Sequence, residues 1–354
     1  MAQVLVVTPS FSIPGGVTEF NKMLLNYSCN SIKPFFLSGA GRKQTKIIKQ
    51  LFFLFDLLRF TLIILFSSVK IVHLNPSLGN NAIKRDGLLC YIAKLFNIKV
   101  YIHWHGWNPD NEYLLEGKSL KFIKRTIFKA DHIKFLSLSF SNLFVAKGYK
   151  NKTSLGNTFI DNALLDGFKP ISKDNKPINI LFLSTISKNK GIYTTIELFS
   201  ELVKVNTITL TIAGNGPELE NIRKIINPEI ADKITYTGHI TGNEKVHVYK
   251  NADIYLFPSQ YEGMPTSVLE AMGFGLPIIC SSVGALPDFF ENGKMGFILN
   301  KDDKDGFRIA IESLVKNKQL RESIGTYNHT YATNHFLASN TVNRIDEDYK
   351  SLIS

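Results

Sequence analysis

Tyr255-Leu-Phe-Pro-Ser-Gln-Tyr-Glu262-Gly263-Met264-Pro265-Thr266-Ser267-Val-Leu-Glu270-Ala-Met-Gly-Phe-Gly275-Leu-Pro277 is the stretch that decides how this 354-residue chain is read. It reads as a strand ending in Pro258-Ser259, a loop holding a carboxylate and a glycine, and then a new helix. Pro265 suits the first helical turn, where its missing N–H costs nothing. The backbone N–H groups of the helix start, together with its dipole, make a ready site for a diphosphate. Glu270 lies about one and a half turns further in, where a carboxylate can take two hydrogen bonds from a ribose diol. Glu262, ahead of the turn, is placed to bind sugar hydroxyls. A capping role would also account for Glu262, but it does not account for Glu270.

Outward from this stretch, apolar runs of strand length alternate with helical patterns. Val4–Val7, Ile71–Leu74, Val100–His103 and Ile133–Leu138 read as strands of a first half. Ile178–Leu183, Ile208–Ile212, Ile234–Tyr236, Ile254–Phe257 and Pro277–Cys280 read as strands of a second. Continuous apolar strands separated by helices mean a parallel sheet covered on both faces, and two such series mean two doubly wound α/β domains. The break falls in the polar, proline-bearing segment Asp166–Pro177. Ligands of open α/β sheets bind beyond the carboxyl ends of the strands, so a site in a cleft between the domains is expected.

Charge is unevenly spread. The net charge is +11, yet residues 1–168 hold 21 Lys+Arg against 9 Asp+Glu, so the remainder is close to neutral. A basic half suggests an anionic partner: nucleic acid, a phospholipid surface or a phosphorylated substrate. Leu51–Phe66 is strongly apolar, but Asp56 and Arg59 interrupt it, and it falls short of a transmembrane span. It reads either as a buried helix of an α/β domain or as a helix lying on a membrane. Lys43, Lys46 and Lys49 just before it fit the second reading. The start Met-Ala-Gln-Val-Leu-Val-Val reads as a first strand, with no basic leader region. Cys29, Cys90 and Cys280 are far apart, which points to free thiols in a reducing compartment and to neither a zinc site nor a disulfide framework.

Other strand ends carry glycines and polar groups. Pro14-Gly15-Gly16 follows the first strand and precedes a helix, as either a turn or an anion site. It lacks the Gly-x-Gly-x-x-Gly dinucleotide fingerprint. In Tyr101-Ile-His103-Trp104-His105-Gly106, alternation sends His103 and His105 to one side and Trp104 to the other. Backbone-satisfied strand-end histidines are one reading. The other has His105 reaching a phosphate or sugar hydroxyl. Two histidines alone make no metal site. Ser184-Thr185-Ile-Ser-Lys188-Asn-Lys190-Gly191 leads from strand to helix and places Lys190 to meet a phosphate as a point charge. Gly214-Asn-Gly216-Pro217 permits close approach by a ring or phosphate and is equally at home as a tight turn.

Taken together these motifs resemble family 4 of the glycosyltransferases, the retaining enzymes of GT-B fold. The spacing of Glu262 and Glu270 fits, as do Pro258-Ser259, Glu270-Ala271, Gly275-Leu-Pro277, Ser282-Val-Gly284, Gly293-Lys-Met-Gly296, Lys190-Gly191, Gly156-Asn157, His105-Gly106 and Gly15-Gly16. The family usually has Gly-Arg where this chain has Ser184-Thr185, so Lys190 would meet the donor diphosphate without that arginine.

The resemblance implies two Rossmann-like domains facing across a cleft. Residues 1–168 would bind the acceptor, residues 169–337 the nucleotide-sugar, and a helix over 338–354 would pack back on the first. It further implies that a nucleotide-sugar, UDP- or GDP-linked, is a co-substrate, with no cofactor and no metal. His105, Lys190 and Glu262 would be catalytic. Gly15, Gly16, Thr185, Gly214, Gly216, Gly263, Met264, Pro265, Thr266, Ser267 and Glu270 would bind the donor. The acceptor would be lipid-linked or an oligosaccharide in bacterial surface polysaccharide assembly (lipopolysaccharide O-antigen, capsule or exopolysaccharide). The enzyme would act in the cytoplasm, peripherally on the inner face of an anionic membrane. Nucleic acid is not an expected partner, because no recognition motif accompanies the basic half. A non-transferring enzyme of the same fold, such as an epimerase or phosphorylase, and an inactive nucleotide-sugar binder are the competing readings.

Overall fold

The computed structural model describes residues 3–13, 15–39, 45–171 and 177–354. Pro14, Lys43 and residues 172–176 of the expected linker lie outside them. The chain divides into two compact units, one made of Met1–Phe159 with Ala338–Ser354 and the other of Ile160–Leu337.

The first unit runs β1 (Gln3–Thr8), α1 (Gly16–Tyr27), β2 (Ser31–Phe36), α2 (Lys46–Phe66), β3 (Ile71–Leu74), α3 (Asn80–Leu95) and β4 (Lys99–Trp104). It continues with α4 (Gly117–Arg125), β5 (His132–Phe135), α5 (Leu138–Ala146) and β6 (Lys152–Leu155). Its strands form one parallel sheet in the order β2-β1-β3-β4-β5-β6. Apolar side chains point to both faces. Phe35, Leu74, Ile102 and Trp104 pack on one side, and Val4, Val6, Phe20 and Tyr101 on the other.

The second unit runs β7 (Ile178–Leu183), α6 (Ile192–Leu202), β8 (Ile208–Ala213), α7 (Leu219–Ile225), β9 (Ile234–Gly238), α8 (Gly242–Asn251) and β10 (Ile254–Phe257). Then come α9 (Thr266–Gly273), β11 (Ile278–Ser281), α10 (Leu286–Phe289), β12 (Gly296–Leu299), α11 (Lys304–Lys316) and α12 (Lys318–His335). Its parallel sheet has the order β12-β11-β10-β7-β8-β9. A last helix, α13 (Ala338–Ile353), belongs to the first unit. There it buries Val342, Ile345 and Tyr349 against Val4 and Tyr101, and Asp346 accepts hydrogen bonds from Ser28 Oγ, Cys29 N and Asn30 Nδ2.

Strand order fixes where ligands can bind. In a doubly wound sheet the crevice opens where the order reverses, beyond the carboxyl ends of the strands. That point lies between β1 and β3 in the first unit and between β7 and β10 in the second. Gly15-Gly16 follows β1, and Asn75 follows β3. Lys190 follows β7, and Glu262 follows β10.

Two sequence expectations are corrected. The strand expected over Ile133–Leu138 stops at Phe135, because Ser137 caps α5 and accepts from Ser139 N. Three strands were not foreseen: β2, β6 and β12, all of them sheet edges. Edge strands lack one neighbour and need no continuous apolar run. β2 even carries Pro34, which an edge tolerates because one side of its backbone is unpaired. Leu51–Phe66 forms most of α2, which turns Phe60 and Ile64 into the core and leaves its other face bare. Among the described residues no helix is long and apolar enough to cross a membrane.

Candidate functional site

At the switch point of the second unit, the loops after β7 and β10 are tied together. Gln260 N donates to Asn189 O at 2.8 Å, and Asn189 Nδ2 donates to the Tyr261 hydroxyl at 2.8 Å. Gly191 makes this approach feasible. Its φ is +81°, and a Cβ there would stand 2.0 Å from Pro258 O. On these two loops Lys190 Nζ donates to Glu262 Oε1 at 2.5 Å, and Ser259 Oγ donates to the same oxygen at 3.0 Å. The pair is mostly but not fully buried, so ligand atoms can still reach it.

Eight residues on, Glu270 is buried inside α9 and held by two donors. Lys245 Nζ, on α8, reaches Oε1 at 2.6 Å, and the Tyr249 hydroxyl reaches Oε2 at 2.9 Å. A carboxylate this enclosed is tolerated only when paired, and this one is. Tyr255 connects the groups: its hydroxyl is the donor shared between Ser267 Oγ at 2.7 Å and Leu183 O at 2.9 Å. The first turn of α9 follows Pro265, whose side chain provides no cap. Thr266 and Ser267 are half-buried there, while Met264 and Pro265 are buried. Gly284, at φ +59°, presses against Gly263 O, which accepts from Ala285 N at 2.8 Å.

The glycines divide by cause. A Cβ on Gly214 would lie 2.0 Å from Ser184 O, and one on Gly216 would lie 2.2 Å from Ile186 O. Backbone packing against the loop after β7 therefore explains both. Thr185, on that loop, is exposed. Gly15 and Gly16 in the first unit are different. Gly15 is extended, a Cβ there would meet only Thr18 Oγ1 at 3.9 Å, and one on Gly16 would meet nothing within 4 Å. Both glycines are exposed, and packing within the fold does not require glycine at either position. Gly16→Ala should therefore leave thermal stability unchanged or slightly raised; if Gly16 lies at the donor, as the resemblance implies, it should also weaken donor binding about tenfold. Equal Kd values for variant and parent would show the space is unused.

His105 is also in the first unit. As strand alternation predicts, His103 and His105 lie on one side, with ring centroids 4.5 Å apart and nearly parallel, and Phe20 packs edge-on against both. Burial pushes the His105 imidazole down to about 3, so it is neutral near pH 7. Asn75 Nδ2 donates to Val7 O, which turns Asn75 Oδ1 toward His105; Nε2–H donates to it at 2.8 Å. Nδ1 is then an acceptor. The side chain suits a sugar hydroxyl rather than a phosphate. His103 is not satisfied by backbone: it is fully buried, and neither ring nitrogen has a hydrogen-bond partner among the described residues.

Sequence reasoning missed Lys245 and Tyr249, and it noted Ser259 at the strand end without a role. A signal existed for the first two: positions 245 and 249 are four apart, hence on one face of the helix before β10.

Residues 166–330 match the family model described as glycosyl transferases group 1. The chain is similar to the sulfoquinovosyl transferase SQD2 of Arabidopsis thaliana, 30% identical over 139 residues, which are 38% of this chain and 27% of that one. It is similar to the capsular polysaccharide biosynthesis glycosyltransferase CapM of Staphylococcus aureus, 25% identical over 54% of this chain and 50% of that one. The chain thus spans half or less of the length of these relatives. Among solved structures, the sucrose-phosphate synthase of Thermosynechococcus elongatus superposes with a TM-score of 0.77 at 14% identity, covering 100% of this chain and 99% of that one. Anabaena Alr3699/HepE in complex with UDP-glucose superposes with a TM-score of 0.70, also at 14% identity, covering 99% and 100%. The fold is that of the GT-B glycosyltransferases.

Proposed function

We propose that this chain transfers a sugar from a nucleotide-sugar, UDP- or GDP-linked, to a lipid-linked or oligosaccharide acceptor, with retention at the anomeric carbon and without a metal ion. The observation that carries the reading is the pair of lysine-bound carboxylates, Glu262 and Glu270, bracketing the start of α9 at a sheet switch point. The relative bound to UDP-glucose and the capsule-building relative support the donor class and a place in bacterial surface polysaccharide assembly. Such assembly starts in the cytoplasm, at the inner face of the membrane.

In this reading the start of α9 and Lys190 hold the diphosphate, Glu262 the transferred sugar and Glu270 the ribose. Gly15 and Gly16 let backbone amides approach the donor, and His105 Nδ1 accepts from a sugar hydroxyl. The acceptor hydroxyl attacks the anomeric carbon on the face the diphosphate leaves. The new C–O bond forms as the sugar–phosphate bond breaks, and the proton passes to a leaving phosphate oxygen. Positioning and charge stabilisation supply the catalysis, and fixed cations do the neutralising.

Incubation with a panel of nucleotide-sugars, followed by NMR of the anomeric proton, tests this. One donor should be consumed with retention, at a rate that a chelator leaves unchanged. Binding without turnover would instead indicate an inactive nucleotide-sugar binder, and an inverted product would refute the mechanism. Glu270→Ala should raise the donor Kd about tenfold, the value of one charge-assisted diol contact. Lys245→Ala should lose most of the same affinity, because the carboxylate loses the cation that orients it. Additive losses in the double variant would show that Lys245 and Glu270 do not act as a unit.

A further inference from the structure

The outer face of α2 is uncovered. Of the 22 exposed large hydrophobic side chains among the described residues, nine lie on this one helix. They run from Ile47 through Leu51, Leu54, Leu58 and Leu62 to Phe66, at the three- and four-residue spacing of a single helix face. Leu51, Leu54 and Leu58 are each 60% exposed or more, and Phe66 is 84% exposed. Scattered apolar side chains are ordinary on a protein surface, but a stripe of this length marks an interaction site.

The charges of the helix say what the site meets. Its one carboxylate, Asp56, is turned inward, where it accepts from Ser38 N at 2.9 Å and Ser38 Oγ at 2.5 Å and pairs with Arg59 at 3.2 Å. The outer face therefore offers no negative charge, and Lys49 stands exposed on its first turns. The surrounding half of the chain, residues 1–168, has more than twice as many basic as acidic residues. Two copies meeting through this face would bring like charges together, whereas an anionic lipid surface would neutralise them. Spanning is not open to α2, because Asp56, Phe60 and Ile64 fasten its inner face to the sheet. A helix of 21 residues, about 31 Å long, apolar on one side and fastened on the other, suits the plane of a bilayer interface.

We propose that α2 is a membrane-docking element whose outer face enters the headgroup–acyl boundary of an anionic bilayer. The start of α2 follows the carboxyl end of β2, the same sheet edge that carries Gly15, Gly16 and His105. Docking would hold that edge near a lipid-linked acceptor. This purpose rests on the proposed function, but the binding itself does not.

Flotation of the full chain with vesicles tests it. The protein should float with vesicles of phosphatidylglycerol and phosphatidylcholine in equal parts, and much less with phosphatidylcholine alone. Each of Leu54→Glu and Leu58→Glu should weaken partitioning on the order of tenfold, with thermal stability and donor binding unchanged. Lys49→Glu should weaken it less and flatten its salt dependence. No flotation with anionic vesicles, or equal flotation of the Leu→Glu variants, would overturn the proposal. So would a dimer in solution that Leu58→Glu dissociates while no vesicle binding is seen. If the chain consumes a nucleotide-sugar yet never floats, docking fails and the proposed function stands. If it floats but turns over no donor, docking stands and the proposed function fails.

Discussion

Lys190→Ala is expected to slow sugar transfer about a hundredfold to a thousandfold, the cost of removing one fixed charge from a developing anion. Lys190 sits on the Glu262 carboxylate at 2.5 Å, beside Ser259 Oγ, on two loops fastened at a sheet switch point. Where the resembling family has an arginine on the loop after β7, this chain has the exposed Thr185. In the proposed function Lys190 would carry the share of diphosphate neutralisation that two cations would otherwise divide. Lys190→Ala should also lower stability, because it leaves the mostly buried Glu262 carboxylate with Ser259 Oγ but without its cation. Lys190→Arg should recover only part of the rate, since a planar fork does not reproduce a compact ammonium against both Glu262 and a phosphate.

The same ion pair gives a sharper test through binding. Lys190→Ala should weaken both the nucleotide-sugar and the free nucleoside diphosphate, since it removes a phosphate contact. Glu262→Ala should weaken only the nucleotide-sugar, because the sugar loses its anchor while Lys190 is released toward the phosphates. Calorimetry with both ligands on both variants would separate the roles. Equal losses of nucleoside diphosphate affinity in the two variants would mean that Glu262 only orients Lys190 and does not touch the sugar.

What the sequence revealed follows from what each feature depends on. The central strands were legible because β3, β4, β7 and β10 are almost wholly buried and mostly apolar. The edges β2 and β6 were not, because an edge tolerates polar residues and, in β2, a proline, and β12, though apolar, is only four residues long. The Glu262–Glu270 segment was legible because its elements are local: a strand end, a proline turn and a helix start. Lys245 was hidden because its partner lies 25 residues away, on the far side of β10, and only folding brings them to 2.6 Å. For Gly214 and Gly216 the sequence left close approach of a ligand and a tight turn equally open; their tightness against Ser184 O and Ile186 O is between loops of the protein. Sequence shows that a glycine is present; only coordinates show whether backbone or open space fills the place of its missing side chain.

Below about pH 5 the first unit should unfold before the second, because it holds a set of buried neutral histidines. His73 and His103 are fully buried on neighbouring strands, with His132 one strand further and His105 stacked on His103. Burial first, and the neighbouring His105 and Lys134 second, hold His73 down at about 3. Burial likewise lowers His103, and it lowers His132 to about 4 despite Asp348. In the unfolded chain each would take up its proton near 6.5. Between roughly pH 6.5 and 3 the unfolded state therefore binds more protons, and stability falls as pH falls through that window. At pH 5, His73 alone costs about 2 kcal/mol, against a total of about 5–15 kcal/mol for an ordinary domain. The chain has two tryptophans, Trp104 and Trp107, both buried in the first unit, so their fluorescence reports that unit alone. Their acid transition should lie near pH 4 to 5, by the same arithmetic. His103→Leu should be neutral or stabilising at pH 8, because neither imidazole nitrogen has a partner among the described residues to lose, and it should lower the acid midpoint by roughly half a pH unit. Coincident acid transitions for the parent and His103→Leu would mean that the histidines do not govern acid stability.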